Sequence, residues 1–326
     1  MRSVPAECDA LLTCCREAGG VALLRCETSA PQLLLPDELD GLPIIRLGDY
    51  VFSAREPKQL PEGAFTLRLT SGGEELPAHD AAALRMVRLP QKALSLGNYA
   101  FYGCTGLEAL EIGGHLQTVG TDAFMNCFSL RRMTLTAPAE ECRCLRGLLQ
   151  EYSGELELCF APAAGPECRL FFPAYDEDYE EMAAPHIFHY NIRGVGYLCR
   201  QSFDGHCFRY DQYDASLDLL LRTHEFSLAV RMAMDRLRFP VQLSETARTA
   251  YLSCLEQHTE QVLELVLTEA DTAPLSFLLS LDLLGRPALA EGCEMARTAR
   301  RTEALGLLLE YQNRRFGAPR ARSFDL

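Results

Sequence analysis

Two stretches set 23 residues apart decide how this chain is read: Leu96-Gly97-Asn98-Tyr99-Ala100-Phe101-Tyr102-Gly103-Cys104-Thr105-Gly106-Leu107 and Val119-Gly120-Thr121-Asp122-Ala123-Phe124-Met125-Asn126-Cys127-Phe128-Ser129-Leu130. Phe101 and Phe124, Cys104 and Cys127, and Leu107 and Leu130 share that spacing. The period extends outward through Val87, Leu110, Met133 and Leu156, and through Leu89, Ile112, Leu135 and Leu158. A repeat of this length carrying L-x-x-L-x-L supplies one short strand per coil of a solenoid. Stacked coils lay those strands parallel and bury the apolar columns against their neighbours. The Ala-Phe pair then fills the far side of each coil, and the glycine before it suits a tight bend.

These residues resemble the BspA-type leucine-rich repeat family of bacteria, whose core is Ile/Leu-Gly-x-x-Ala-Phe-x-x-Cys-x-x-Leu. Leu96–Leu107 and Val119–Leu130 match it closely. Leu47-Gly48-Asp49-Tyr50-Val51-Phe52 is a further copy with Val51 in place of Ala, and 35–45 looks like an opening repeat. The resemblance covers residues 20–160 and implies an α/β leucine-rich repeat solenoid that binds protein or ligand, often as an exported adhesin. Phe52 and Phe101 stand 49 residues apart, three more than two periods. The Pro-, Gly- and Glu-rich stretch 54–80 between them reads as a looped-out turn, with Phe65 filling part of the gap. Cys168–Pro173 reads as a last edge strand, since proline suits a position with no further ladder donor.

Composition changes after Pro173. An acidic run, 176–181, reads as a linker or cap, and the aromatic segment 187–213 carries no clear period. From Asp214 the spacing is helical: Leu217, Leu220 and Leu221 make one face, and Leu228, Met232 and Leu237 another, stopped by Pro240. Ser244 with Glu245 starts the next helix. Further helices are expected over 262–267, 275–284, 289–299 and 302–311. Short helices with tight turns suggest an all-α array of helical hairpins, and the last pair is similar to an ankyrin-repeat helix pair without its Thr-Pro-Leu-His opening. The expected domains are a capped solenoid over 1–173, a junction over 174–213, a helical domain over 214–316 and a flexible tail over 317–326.

The chain has 326 residues, 48% hydrophobic and 23% charged, which excludes a disordered chain, a collagen and a disulfide mini-protein. A net charge of −14 disfavours nucleic acid as a partner. Residues 1–150 carry net −4 and residues 151–326 carry −10, so a partner protein with a basic surface suits the helical half. No secretory signal is legible near Met1, and the apolar stretch 275–284 is too short to span a bilayer. The expectation is a cytoplasmic protein with no membrane partner, whose 14 cysteines are free thiols.

Most chemical candidates have plain structural explanations. His186, His189, Cys199, His206 and Cys207 could form a metal set, but no Cys-x-x-Cys accompanies them. His206-Cys207 with Asp211 or Asp214 is a conceivable hydrolase group, without a signature around it. Cys142-x-Cys144 has the wrong gap for a zinc knuckle. Cys104 and Cys127 fit a column of small buried hydrophobes. The acidic run lacks the glycine and ligand spacing of an EF-hand, and no phosphate-binding loop is present. No cofactor is expected.

If the Leu/Val columns face inward, alternate residues face out. One outward row is Met86, Ala109, Arg132 and Glu155, and the other is Arg88, Glu111, Thr134 and Glu157. Solenoids commonly bind across such surfaces. The function expected is therefore a non-enzymatic interaction or scaffold protein contacting another protein through Met86, Arg88, Glu111, Arg132, Thr134, Glu155 and Glu157. The alternative is a metal-binding protein or hydrolase with its site in 185–214.

Overall fold

A computed structural model describes residues 2–5, 8–57, 59–72, 78–182 and 187–317, with the backbone alone for 2–5, 178–182 and 187–191. The chain divides into two compact units, Met1–Tyr213 and Asp214–Leu326.

The first unit is a β-solenoid of short parallel strands. Each coil visits one ladder, crosses to a second, and returns through a turn. The first ladder contains Gln32–Leu34, Met86–Arg88, Ala109–Ile112, Arg132–Leu135 and Leu156–Phe160, all parallel, closed by the antiparallel strand Cys168–Phe172. The second contains Leu42–Leu47, Ser95–Leu96 and Thr118–Val119. Val87, Leu110 and Met133 pair in register and are buried, Ile112 pairs with Leu135, and both of these and Leu89 are buried too.

Identical turn chemistry on neighbouring coils holds the stack together. The Phe52 and Phe101 rings stack at 4.6 Å and Phe101 and Phe124 at 5.8 Å, and Tyr152 ends the column edge-on at 6.4 Å. The Cys104 thiol donates to the Phe52 carbonyl at 3.3 Å, and Cys127 to that of Phe101 at 3.2 Å. Each coil's cysteine thus staples the previous coil's phenylalanine while behaving as a small buried hydrophobe. Gly97 lies so close to the preceding coil that a Cβ would sit 2.4 Å from the Gly48 carbonyl carbon, and Gly120 lies equally close to Gly97. The Asp49 carboxylate accepts from the Asn98 N–H at 2.8 Å, and the Asn98 side chain accepts from the Thr121 N–H at 2.9 Å.

Phe52 stacks directly on Phe101, so no coil is missing between them. Residues 54–80 leave the solenoid and supply the strand Phe65–Thr70 to an N-terminal sheet with Arg2–Pro5, Ala10–Glu17 and Gly20–Glu27. Phe65 therefore does not fill a coil position: it pairs with Cys14 in that sheet. Gly20–Glu27 pairs with Leu42–Leu47 and joins the cap to the second ladder. Two side chains fasten the exit and return of the excursion. The buried Arg25 guanidinium donates to the carbonyls of Tyr50, Ser53 and Arg55 at 2.8–2.9 Å. His79 bridges the Ser53 carbonyl and the Thr28 N–H.

The fourth turn differs. It holds the short helix Leu145–Gln150, and Met133 pairs with Leu158 rather than Leu156. Beyond the edge strand, the acidic run, read from sequence as a linker or cap, is the strand Asp176–Met182, paired with Ile187–Arg193. The helix Gly196–Cys199 and the small hairpin Phe203–Asp204/Cys207–Phe208 follow. Arg200 is buried here and donates to the carbonyls of Tyr152, Gly154, Pro173 and Gly196. Burial pulls its pKa down to about 10.

The second unit is helical. After the end of the helix Tyr210–Arg222 come Phe226–Arg238, Glu245–Gln257, Thr259–Thr268, Ala273–Ser280, Arg286–Thr298 and Thr302–Phe316. Phe226–Arg238 is central, packing on the three helices that follow it. It is buried on more than the expected single face: Met232 to Leu237 are all covered. That burial encloses Arg236, whose guanidinium pairs with the Asp214 carboxylate at 2.7 and 3.1 Å. The Tyr251 hydroxyl donates to the same carboxylate at 2.8 Å. The Ser244 hydroxyl caps its helix by accepting from the Ala247 N–H. Arg301 donates to the carbonyls of Leu267 and Ala270, satisfying the end of the Thr259–Thr268 helix. Among the described residues, no helix is long and apolar enough to cross a membrane.

Candidate binding surface

The outward side chains of the first ladder form two rows fixed by strand register. One runs Gln32, Met86, Ala109, Arg132, Glu157 and Phe171. The other runs Leu34, Arg88, Glu111, Thr134, Cys159 and Arg169. Met86, Arg88, Glu111, Arg132 and Thr134 stand where the alternation puts them, and Arg88 lies opposite Glu111. Glu155 and Glu157 do not. The helical turn makes the last coil 25 residues from Met133 to Leu158, so Glu155 leaves the Arg132 row and Glu157 takes its place. Cys159, rather than Glu157, then stands beside Thr134.

This register creates contacts. The Arg132 guanidinium pairs with Glu157 at 2.9 Å. Glu157 also accepts from the Cys159 thiol at 3.3 Å, and burial pushes that thiol's pKa up to about 12. Such a surface ion pair adds little stability, ~0–1 kcal/mol, but it holds Arg132 across the strand direction. Phe171 is buried, so the rows close at that end; Arg132 is exposed, whereas Arg88 and Glu111 are half-buried.

Among the described residues, the junction candidates are not brought together. Cys199 is buried, whereas His206 and Cys207 are exposed at a hairpin turn. His186 and the His189 side chain lie outside the described residues. Asp211 is engaged by Arg209 at 2.8 and 3.0 Å, which lowers its pKa, and Asp214 is engaged by Arg236 and Tyr251. Among the described residues, no group of three or more His, Cys, Asp or Glu is placed to hold a metal. Cys142 and Cys144 are buried thiols with pKa values raised to about 12 by desolvation.

A second surface was not anticipated from sequence. The residue two after each turn glycine, Tyr50, Tyr99 or Asp122, has a left-handed backbone with φ of 53–58°. Tyr50 and Tyr99 stack at 5.1 Å and 10°, and the neighbouring Asp122 carboxylate raises the Tyr99 pKa. Tyr102 meets Tyr99 edge-on at 6.3 Å. The shared column position of Tyr50 and Tyr99 was the available signal.

Comparison with known proteins agrees with the coil geometry. Residues 78–143 match the model of the BspA type leucine rich repeat region (6 copies). The chain is similar to the leucine rich repeat protein TpLRR of T. pallidum, at 22% identity over 36% of this chain and 46% of that one, with a TM-score of 0.27. It is also similar to a leucine rich cell surface protein of Faecalibacterium prausnitzii A2-165, at 16% identity over 37% and 30% of the two chains, with a TM-score of 0.25. The chain thus spans less than half the length of either. No curated protein matches it.

Proposed function

We propose that this chain is a non-enzymatic protein-binding scaffold that engages its partner through the outward rows of the first ladder. The supporting observation is register: four parallel strands line up Met86, Arg88, Glu111, Arg132, Thr134 and Glu157 on one sheet face. Extended strand surfaces of this kind are the usual binding faces of solenoids. The helical unit serves as a second display module, its last helix pair read as ankyrin-like, and its negative charge suits a basic protein rather than nucleic acid. A reducing, cytoplasmic setting fits fourteen cysteines that form no disulfide. The test is affinity capture and crosslinking from the native host with wild type and the Arg88→Glu/Arg132→Glu variant. The reading expects a specific partner lost in the variant and kept in a Ser276→Ala control. Undiminished capture by the variant refutes it.

A further inference from the structure

The tyrosine ladder lies between two clefts. One, about 380 Å³, is lined by Asp49, Tyr50, Asn98 and Tyr99 among others. The other, about 450 Å³, is lined by Asp122, Glu151, Tyr175, Asp176, Glu177 and Arg193 among others. Tyr99 lines the first cleft and the neighbouring Asp122 lines the second, and Glu151 accepts from the Asp122 N–H at 2.6 Å. Partial burial beside Asp122 makes the Glu151 carboxylate harder to ionise. Among the described residues, five carboxylates thus border a half-buried aromatic surface, against Arg193 in one cleft, Arg46 beside Asp49 and Arg55 at the ladder's edge.

The geometry points to this ledge as a second docking surface whose occupant is an extended, arginine- or lysine-bearing segment of a partner protein. Charge complementarity selects the occupant: the clefts repel acidic segments and nucleic acid, and the rings between them accept cations on their faces. The molecule supplies its own example, since the Arg55 guanidinium sits 4.7 Å from the centre of the Tyr102 ring. Dimensions agree. Coils repeat about every 4.8 Å, so clefts two to three coils apart lie about 10–14 Å from each other. An extended chain rises about 3.3 Å per residue and presents same-side residues about 6.7 Å apart, so cations four residues apart reach both clefts. This surface is separate from the sheet rows, so either assignment can fail alone.

The test is fluorescence anisotropy with a fluorescein-labelled (Gly-Arg)4 peptide and a (Gly-Glu)4 control, titrated with the full chain at low salt. Binding of the arginine peptide alone is expected. Asp122→Asn and Glu151→Gln should each weaken it roughly 5- to 10-fold, and Tyr99→Asn, which keeps a residue tolerant of left-handed backbone, by about 10-fold through loss of cation–π contact. Glu111→Gln and Glu157→Gln on the sheet face should leave it within about 2-fold. Loss of affinity equal in ledge and sheet-face variants would mean attraction to net charge alone and overturn the assignment. So would absence of binding, or equal binding of the acidic peptide. Circular dichroism checks that each variant is folded, and the isosteric Glu151→Gln provides the test should Tyr99→Asn fail to fold.

Discussion

Replacing Gly97 with alanine tests whether coil-to-coil contact sets the stability of the solenoid. The added Cβ would lie 2.4 Å from the Gly48 carbonyl carbon and 2.5 Å from the Gly48 oxygen and the Asp49 nitrogen. Carbon contacts relax at about 3.5–4.0 Å, so the coils must part by roughly 1 Å against backbone that has no rotamer to yield. The hydrogen bonds that cross this gap include Tyr50 N–H to the Asn98 carbonyl at 3.0 Å, Phe52 N–H to the Ala100 carbonyl at 2.9 Å, and Asn98 N–H to the Asp49 carboxylate at 2.8 Å. Adding 1 Å takes all of them past bonding distance. Overpacking costs about 1–3 kcal/mol, and a lost neutral hydrogen bond about 0.5–1.5 kcal/mol, more where a carboxylate is involved. The expected loss is at least about 3 kcal/mol, concentrated at one coil interface, as nearest-neighbour coupling requires. A whole-chain melt would mix two units, so the assay is native-state exchange of the Tyr50 and Phe52 amides. Protection within about 0.5 kcal/mol of wild type would refute the close-approach argument.

Other expectations follow from the same interactions. Gly306→Ala, in the open interior of the last helix where a Cβ meets nothing within 4 Å, should stabilise the helical unit by about 0.5–1 kcal/mol in urea unfolding; a loss would contradict it. Arg236→Met should cost about 3–5 kcal/mol by stranding the Asp214 carboxylate, and adding Asp214→Leu should recover much of that. Burial raises the thiols of Cys127, Cys142, Cys144 and Cys159 to about 12. Their neutral form is favoured in the fold, so this stability is complete below the unfolded thiol pKa of about 8.5 and falls towards pH 12 by up to ~1.4 kcal/mol per pH unit per thiol. A urea midpoint unchanged between pH 8 and pH 10 would count against it. Iodoacetamide should label the exposed Cys207 before the buried thiols, which peptide mass spectrometry reads directly.

The parts of the solenoid legible in the sequence are those where every coil solves the same packing problem. Phe101 and Phe124 recur because each stacks on its equivalent in the preceding coil, and Cys104 and Cys127 because each bonds the phenylalanine carbonyl of the preceding coil. Two features were not legible for identifiable reasons. Leu156, Leu158 and Phe160 are all apolar and on one face, so a slip of two residues leaves the pattern intact, and only the helix Leu145–Gln150 decides which pairs with Met133. That slip exchanged Glu155 for Glu157 in the outward row beside Arg132. The 49-residue gap between Phe52 and Phe101 is near twice the period, which suggested a partly filled position at Phe65, whereas the segment builds another sheet. The tyrosine ledge shows only as a weak column, because its third member is Asp122 rather than an aromatic residue.

The excursion after the first coil also orders assembly in time. The contact between Phe101 and Phe124 closes a loop of 23 residues, whereas the contact between Phe52 and Phe101 closes one of 49. Chain entropy makes the longer closure about 0.6 kcal/mol more costly, and local contacts form sooner than distant ones. The coils around Phe101 and Phe124 can therefore collapse first and offer a finished end on which the first coil and its sheet condense. The same seam is where unfolding should start, so Arg25 and His79, which fasten the exit and return of the strayed segment, act as latches against fraying.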